Sequence, residues 1–195
     1  MARGDRSPRS EHADRIRAAL IDTALSLFST QGYDQTTTDE IAEAAGVSAR
    51  TFFRYFPTKE SVLFSGEYSF IEAFSAVYLA QDEALSDYDA MVESFAVLAP
   101  SLKRIRKRIA QYREAIASSV QLVGRERQNH EANGLTVAQV IATRRGLASA
   151  DEECHILAEV GILLLERSIN KWLTGPDPID DVIRHEFAAL PEALR

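Results

Sequence analysis

Residues 37–59, TTDEIAEAAGVSARTFFRYFPTK, restrict this chain more than any other stretch. They read as two short helices joined by a tight turn. Thr37 is a good N-cap, and Glu40 three residues on completes a capping box, so a helix starts at Thr38. Ile41, Ala42 and Ala45 share one of its faces. It stops at Gly46, which can take the left-handed conformation that a sharp exit needs. Ser48 caps a second helix over residues 49–55, and Pro57 ends it, because proline restricts the residue before it and lacks a backbone donor.

Two helices that cross steeply need a small residue at the touch point, here Ala42. They need a glycine in the turn four residues later, here Gly46, and apolar plugs at Ile41, Val47 and Phe52. All five positions are met at helix-turn-helix spacing. The second helix exposes Ala49, Arg50, Thr51, Arg54 and Tyr55, the side-chain types that read base edges and hold phosphates. Thr37, Ser48 and Lys59, at the helix ends, complete the expected DNA-contact set. The spacing alone also fits a plain helical hairpin with a solvated face.

Gln31-Gly32-Tyr33, Thr36-Thr37, Ile41-Ala42, Ala45-Gly46-Val47-Ser48, Phe52, Arg54-Tyr55-Phe56 and Lys59-Glu60 together resemble the N-terminal domain of TetR-family transcriptional repressors. The likeness covers residues 11–64. It implies an all-helical homodimer whose third helix enters the major groove, with a divergent C-terminal domain that binds a small effector and makes the dimer. Phe53 stands where the family often has Tyr, so the phenol is missing there. The run RTFFRYFPTKESVLF is similar to a subgroup with acyl-CoA-like ligand-binding C-terminal domains, such as mycofactocin-system regulators.

The formal net charge of −7 opposes DNA binding at first sight, because affinity comes largely from neutralising phosphates. Its distribution removes the objection. Residues 1–62 carry 8 Lys/Arg and 9 Asp/Glu, so the acidic excess falls in the remainder. Within residues 48–59 the only charges are Arg50, Arg54 and Lys59, and local sign governs binding. No apolar run approaches a membrane span, the first residues lack a signal-peptide core, and the single cysteine, Cys154, excludes an internal disulfide. These features point to a soluble cytoplasmic protein with no membrane partner.

The fold class expected is all-α with about nine helices: a DNA-binding domain over residues 1–60, with residues 1–10 a flexible arm, and an effector-binding and dimerisation domain over residues 61–195. Helix 1 should span residues 11–31 and helix 4 should run from the Thr58 cap to about residue 80. Helices are expected at 86–98, ending before Pro100, and at 101–118, 120–145, 151–173 and 179–190. Helix 4 is apolar on more than one face, as a helix buried on several sides requires.

Aromatic residues Phe70, Phe74, Tyr78, Phe95, Tyr112 and Trp172 come from several helices of the second domain. They form the expected lining of an apolar effector pocket, although plain core accounts for most such rings. The surplus of apolar residues over 151–190 suits a homodimer. The basic run 103–108 flanks an apolar stripe as a solvated helix does; as a binding feature it would suit the phosphates of a CoA-like effector. Glu152-x-x-His155 has the spacing of one di-iron ligand pair without its second copy, and the histidines lack zinc spacing, so no metal is expected. Cys154, in the first turn of its helix, is placed where a thiol pKa can fall. No catalytic order or cofactor motif is present. The expected function is a ligand-responsive repressor that binds a pseudo-palindromic operator in double-stranded DNA. The alternative is a helical effector-binding or enzymatic domain whose helix-turn-helix does not bind DNA.

Overall fold

The computed structural model describes residues 8–193 and 195, with residues 8, 9 and 66–69 described by backbone alone. Among the described residues there are nine α-helices and no strand: α1 (Pro8–Gln31), α2 (Thr38–Ala44), α3 (Ala49–Tyr55), α4 (Lys59–Leu79), α5 (Asp87–Arg104), α6 (Arg106–Ala117), α7 (Val120–Arg144), α8 (Glu152–Thr174) and α9 (Ile179–Ala193). α1 opens on Pro8, ahead of the expected start, because proline at the first helical position gives up an N–H that has no partner there anyway. The expected arm falls, up to residue 7, outside the described residues.

The chain forms two compact units. One holds α1 to α3, α4 as far as Gly66, and Lys107–Gly124; the other holds Glu67–Arg106 and the chain from Arg125 on. This differs from a simple division near residue 60. The core of the first unit explains why: Leu20, Phe28, Ile41, Phe52, Phe56 and Val62 are buried together with Ala115, Ile116 and Leu122 from α6 and the start of α7. Phe64 of α4 meets Tyr112 of α6 edge-on at 6.1 Å. Arg108 reaches α1, where its Nη2 donates to Asp22 Oδ2 at 2.7 Å.

In the second unit α5, α8 and α9 pack on one another. α5 does not end before Pro100. It continues to Arg104, because Ala99 and Leu102 still bury its inner face, and it breaks at Ile105, whose N–H donates to the Leu102 and Lys103 carbonyls. α9 likewise runs past Pro191. The apolar residues Val182, Ile183 and Phe187 of α9, expected to serve a dimer, are buried within this unit.

α5 packs tightly on α8 at Gly161. A Cβ placed there would stand 2.1 Å from Met91 Sδ and 2.9 Å from Met91 Cε, and Met91 is fully buried. Gly161→Ala gains about 1 kcal/mol of helix propensity, but overpacking costs about 1–3 kcal/mol. The expected result is a net loss near 1 kcal/mol by denaturant titration, relieved when Met91→Ala is added to the same chain. A stabilised single variant would show that Met91 swings aside freely.

No helix of the described residues is long and apolar enough to cross a membrane.

Candidate nucleic-acid interface

The helix-turn-helix forms as its local signals dictate. At the start of α2 the Thr37 hydroxyl accepts from the Glu40 N–H at 3.2 Å, and Glu40 Oε2 accepts from the Thr37 N–H at 2.7 Å. The Thr37 N–H, and after it the Thr37 hydroxyl, which also donates to Glu40 Oε2, hold the Glu40 carboxyl below its usual range. At its end Gly46 has φ +71°. The Gly46 N–H donates to Glu43 O and the Val47 N–H to Ala42 O, both at 2.9 Å, which is the Schellman pattern. That turn re-aims the chain so that Ser48 can cap α3, its hydroxyl accepting from the Thr51 N–H at 3.2 Å.

Phe52 is fully buried and Phe56 nearly so, which fixes the rotation of α3 and sends Arg50, Phe53 and Arg54 outward. Arg50 is exposed and has no hydrogen bond or ion pair among the described residues. Thr51 is half-buried; its hydroxyl lies 3.0 Å from the Ser48 hydroxyl, so the two share one outward hydrogen-bonding edge beside Arg50. Ala49, also half-buried, adds no bulk to that edge. Arg54 lies over the Tyr55 ring at 5.0 Å, and its Nη2 reaches the Tyr55 hydroxyl at 3.4 Å.

Two members of the expected contact set are engaged elsewhere. The Thr37 hydroxyl, besides accepting from Glu40, donates to Glu40 Oε2 at 2.9 Å, so its single donor faces a carboxylate of its own helix. Lys59 Nζ donates to the carbonyls of Tyr33 and Thr36, both at 2.8 Å, and lies 4.0 Å from the Tyr33 ring centroid. Burial lowers the Lys59 pKa, against the opposing charges of Asp34 and Glu60.

Of the rings expected to line a pocket, four come together in the second unit. Phe74 stacks on Phe95 at 4.8 Å and on Tyr78 at 5.4 Å, while Phe70 stacks on Phe95 at 6.4 Å. Phe187 of α9 joins them, 5.7 Å from Phe95. Tyr112 does not: the break at Ile105 starts a new helix, which carries it to Phe64 in the first unit. Trp172 is buried under Arg106 instead, the guanidinium 5.1 Å above its ring.

The basic run 103–108 is therefore not one patch. Arg106 Nη2 caps the end of α8 through the carbonyls of Trp172 (2.9 Å) and Leu173 (3.0 Å), a favourable place for a cation, and Arg108 pairs with Asp22. Cys154 is fully buried, and burial pushes its thiol up, so the lowering expected of a first-turn cysteine does not occur.

Two features of the second unit carry no sequence motif. One is a polar hub. Asp87 accepts from Tyr78 Oη (3.0 Å), Arg144 Nη1 (3.0 Å) and Arg145 Nε (2.6 Å), and Arg144 also donates to Asp82 O and Leu85 O. The dibasic end of α7 is the only hint of it in the sequence. The other is an open groove of about 400 Å³ between α7 and α8, where His130 meets Glu166 at 2.9 Å beside the exposed Leu135 and Leu163. Among the described residues no group of three or more His, Cys, Asp or Glu is arranged to hold a metal, the Glu152/His155 pair included.

Residues 20–65 match the model of the bacterial regulatory proteins of the tetR family. The HTH-type transcriptional regulator TcmR of Streptomyces glaucescens is 40% identical over 92 residues, which are 47% of this chain and 39% of that protein. EthR of Mycolicibacterium smegmatis, another such regulator, is 44% identical over 63 residues, 32% of this chain and 29% of the other. The chain thus spans well under half the length of these curated relatives. Over most of its length it shares the fold of Thermus thermophilus FadR, a TetR-family repressor solved in complex with lauroyl-CoA. The TM-score is 0.59 and the identity 22%, over 92% of this chain and 95% of that one. The likeness to the tetR family of bacterial regulatory proteins is thus carried by the helix-turn-helix segment, residues 20–65.

Proposed function

We propose that this chain is a ligand-responsive transcriptional repressor, not an enzyme, which binds a pseudo-palindromic operator as a homodimer and leaves it when a small apolar effector binds. The observation that carries the reading is the outer edge of α3: Arg50 stands exposed, with no hydrogen bond or ion pair among the described residues, beside the Ser48 and Thr51 hydroxyls on a helix locked in rotation by Phe52 and Phe56. A long, exposed cation at the start of a rigid recognition helix is equipped to donate to guanine O6 and N7. Ser48, Ala49, Thr51, Arg54 and Tyr55 complete the proposed contact surface.

Arg50→Ala should weaken operator binding by about 1–3 kcal/mol and relax preference at one position of each half-site. Binding titrations against an operator and its point variants, over a range of salt, read both effects. A variant that keeps the wild-type base preference would remove Arg50 from base reading. A wild-type chain whose duplex binding lacks a steep log–log salt slope would remove the DNA-binding reading altogether.

The stacked rings Phe70, Phe74, Tyr78 and Phe95 are the proposed effector-responsive element of the second unit, and a fatty-acyl-CoA-like molecule is the proposed effector class. Support comes from their apolar surface and from FadR, a neighbour in fold that was solved with lauroyl-CoA. Driving a two-state equilibrium from 1:99 to 99:1 takes about 5.5 kcal/mol of differential binding. An acyl chain that buries roughly 200 Å² more surface in the released form supplies about 5 kcal/mol. By reciprocity, saturating operator should weaken effector binding by the factor with which effector weakens operator binding. For the homodimer, the proposed surface lies within residues 151–190. It centres on α8, where Ile156 and Leu163 remain exposed while the apolar face of α9 is buried inside the chain.

A further inference from the structure

Resting on the DNA-binding reading above, we propose that Arg17 of α1 is a phosphate contact at the end of the recognition helix, and that Lys59 is a positioning residue that latches the head from inside.

Lys59 has three N–H donors. Two are held by the Tyr33 and Thr36 carbonyls at 2.8 Å, and the ammonium sits on the face of the Tyr33 ring, 4.0 Å from its centroid. Both carbonyls belong to the turn that carries the chain from α1 into α2, which the buried Thr36 also braces: its hydroxyl donates to Gly32 O at 2.8 Å. The first residue of α4 thus pins the segment that aims the helix-turn-helix. A phosphate would have to compete with these partners for the ammonium. The nearby charges of Asp34 and Glu60 also balance it already.

Arg17 is in the opposite condition. It is exposed and has no hydrogen bond or ion pair among the described residues, so all five N–H donors are available. Its guanidinium carbon lies 5.3 Å over the ring of Phe56, the C-cap of α3. That ring is itself buried and packed against Phe52 at 5.9 Å, so the platform does not move relative to the recognition helix. A guanidinium held against an aromatic ring keeps N–H edges for a bidentate phosphate contact and remains a full charge. Arg54, over Tyr55 in the last turn of α3, repeats the arrangement one residue away from the same platform. Two guanidiniums on aromatic supports therefore mark the exit of α3. The chemistry they suit is the phosphodiester backbone of duplex DNA.

The test compares the salt dependence of duplex binding by the full chain and by Arg17→Gln, Arg17→Lys and Lys59→Met, each with a thermal melt. Arg17→Gln keeps much of the stem over Phe56 and removes the charge. It should weaken all duplex sequences alike and lower the log–log slope by about 1 per head, while Arg17→Lys retains the slope. Lys59→Met should weaken binding at an unchanged slope and lower the melting temperature. A wild-type slope in Arg17→Gln, or a slope in Lys59→Met reduced as much as expected for Arg17→Gln, overturns the assignment while leaving DNA binding intact. A wild-type chain without salt-dependent duplex binding overturns both.

Discussion

Asp87→Asn should destabilise the second unit by about 3 kcal/mol, the low end of the range for removing one partner of a buried ion pair. The Asp87 side chain is 16% exposed and that of Arg144 11%. Without the carboxylate, two guanidiniums and the Tyr78 hydroxyl lose their common acceptor. Arg144 Nε is already buried without a partner, so the site has no spare acceptor to turn to. In a chain of this size the loss corresponds to a fall in melting temperature of roughly 6–12 °C.

The pH dependence identifies the source of the effect. Burial alone would raise the Asp87 carboxyl, but the hydrogen bonds from Arg145, Tyr78 and Arg144 and the charge of Arg145 outweigh it and hold it below its ordinary 3.8. A carboxyl whose folded pKa is depressed contributes stability above its unfolded pKa, and that contribution is lost as pH falls through the folded value. The gap between wild type and variant should therefore be constant at neutral pH and narrow below about pH 4. Melts across that range check it. A gap that persists undiminished in acid would mean that the ion pairs are not its cause.

Phe95→Ala should cost about 3–5 kcal/mol, the range for truncating a buried Phe. Phe95 is 3% exposed, and its ring touches Phe70 and Phe74 of α4 and Phe187 of α9, so one truncation opens a void where three helices meet. The corresponding fall in melting temperature is roughly 6–20 °C. Denaturant titration gives the free energy directly. A loss below about 1 kcal/mol would show that the rings part without penalty, as an open pocket allows and a packed core does not.

The parts of the fold that were legible in the sequence are those whose causes are local. The bounds of α3 follow from Ser48 and Pro57, and the start of α2 from the Thr37–Glu40 box, because each signal acts within four residues of the backbone it satisfies. The packing of Tyr33 back on the last turn of α1, against Phe28 at 5.1 Å, is local in the same way. Where a distant partner decides, local reading stopped short. Pro100 looked like a terminator, but buried Ala99 and Leu102 carry α5 through it. Arg106 and Arg108 looked like solvated charges flanking one apolar stripe; the first is drawn to the end of α8 and the second to α1. The bonds of Lys59 were not legible either, because nothing in its neighbourhood of the chain indicates that the carbonyls of Tyr33 and Thr36 lie within reach of its ammonium. Asp87, Arg144 and Arg145 meet across more than fifty residues, a separation at which no spacing rule operates.

Because Ala115, Ile116 and Leu122 close the core built by α1 to α4, the first unit is discontinuous in sequence. On the ribosome, the first sixty-odd residues emerge as a set of helices with an open apolar flank, and that flank waits for α6 and the start of α7. A fragment cut near residue 66 should accordingly be sticky and only marginally folded, whatever the quality of its helix-turn-helix signals. Completion of the unit requires closing the intervening chain, residues 67–106, into a loop, an entropic cost that grows only slowly with loop length. The intervening residues belong to the other unit, so the order of synthesis ties the two together: the unit that holds the helix-turn-helix is finished only after α5 of the other has been made.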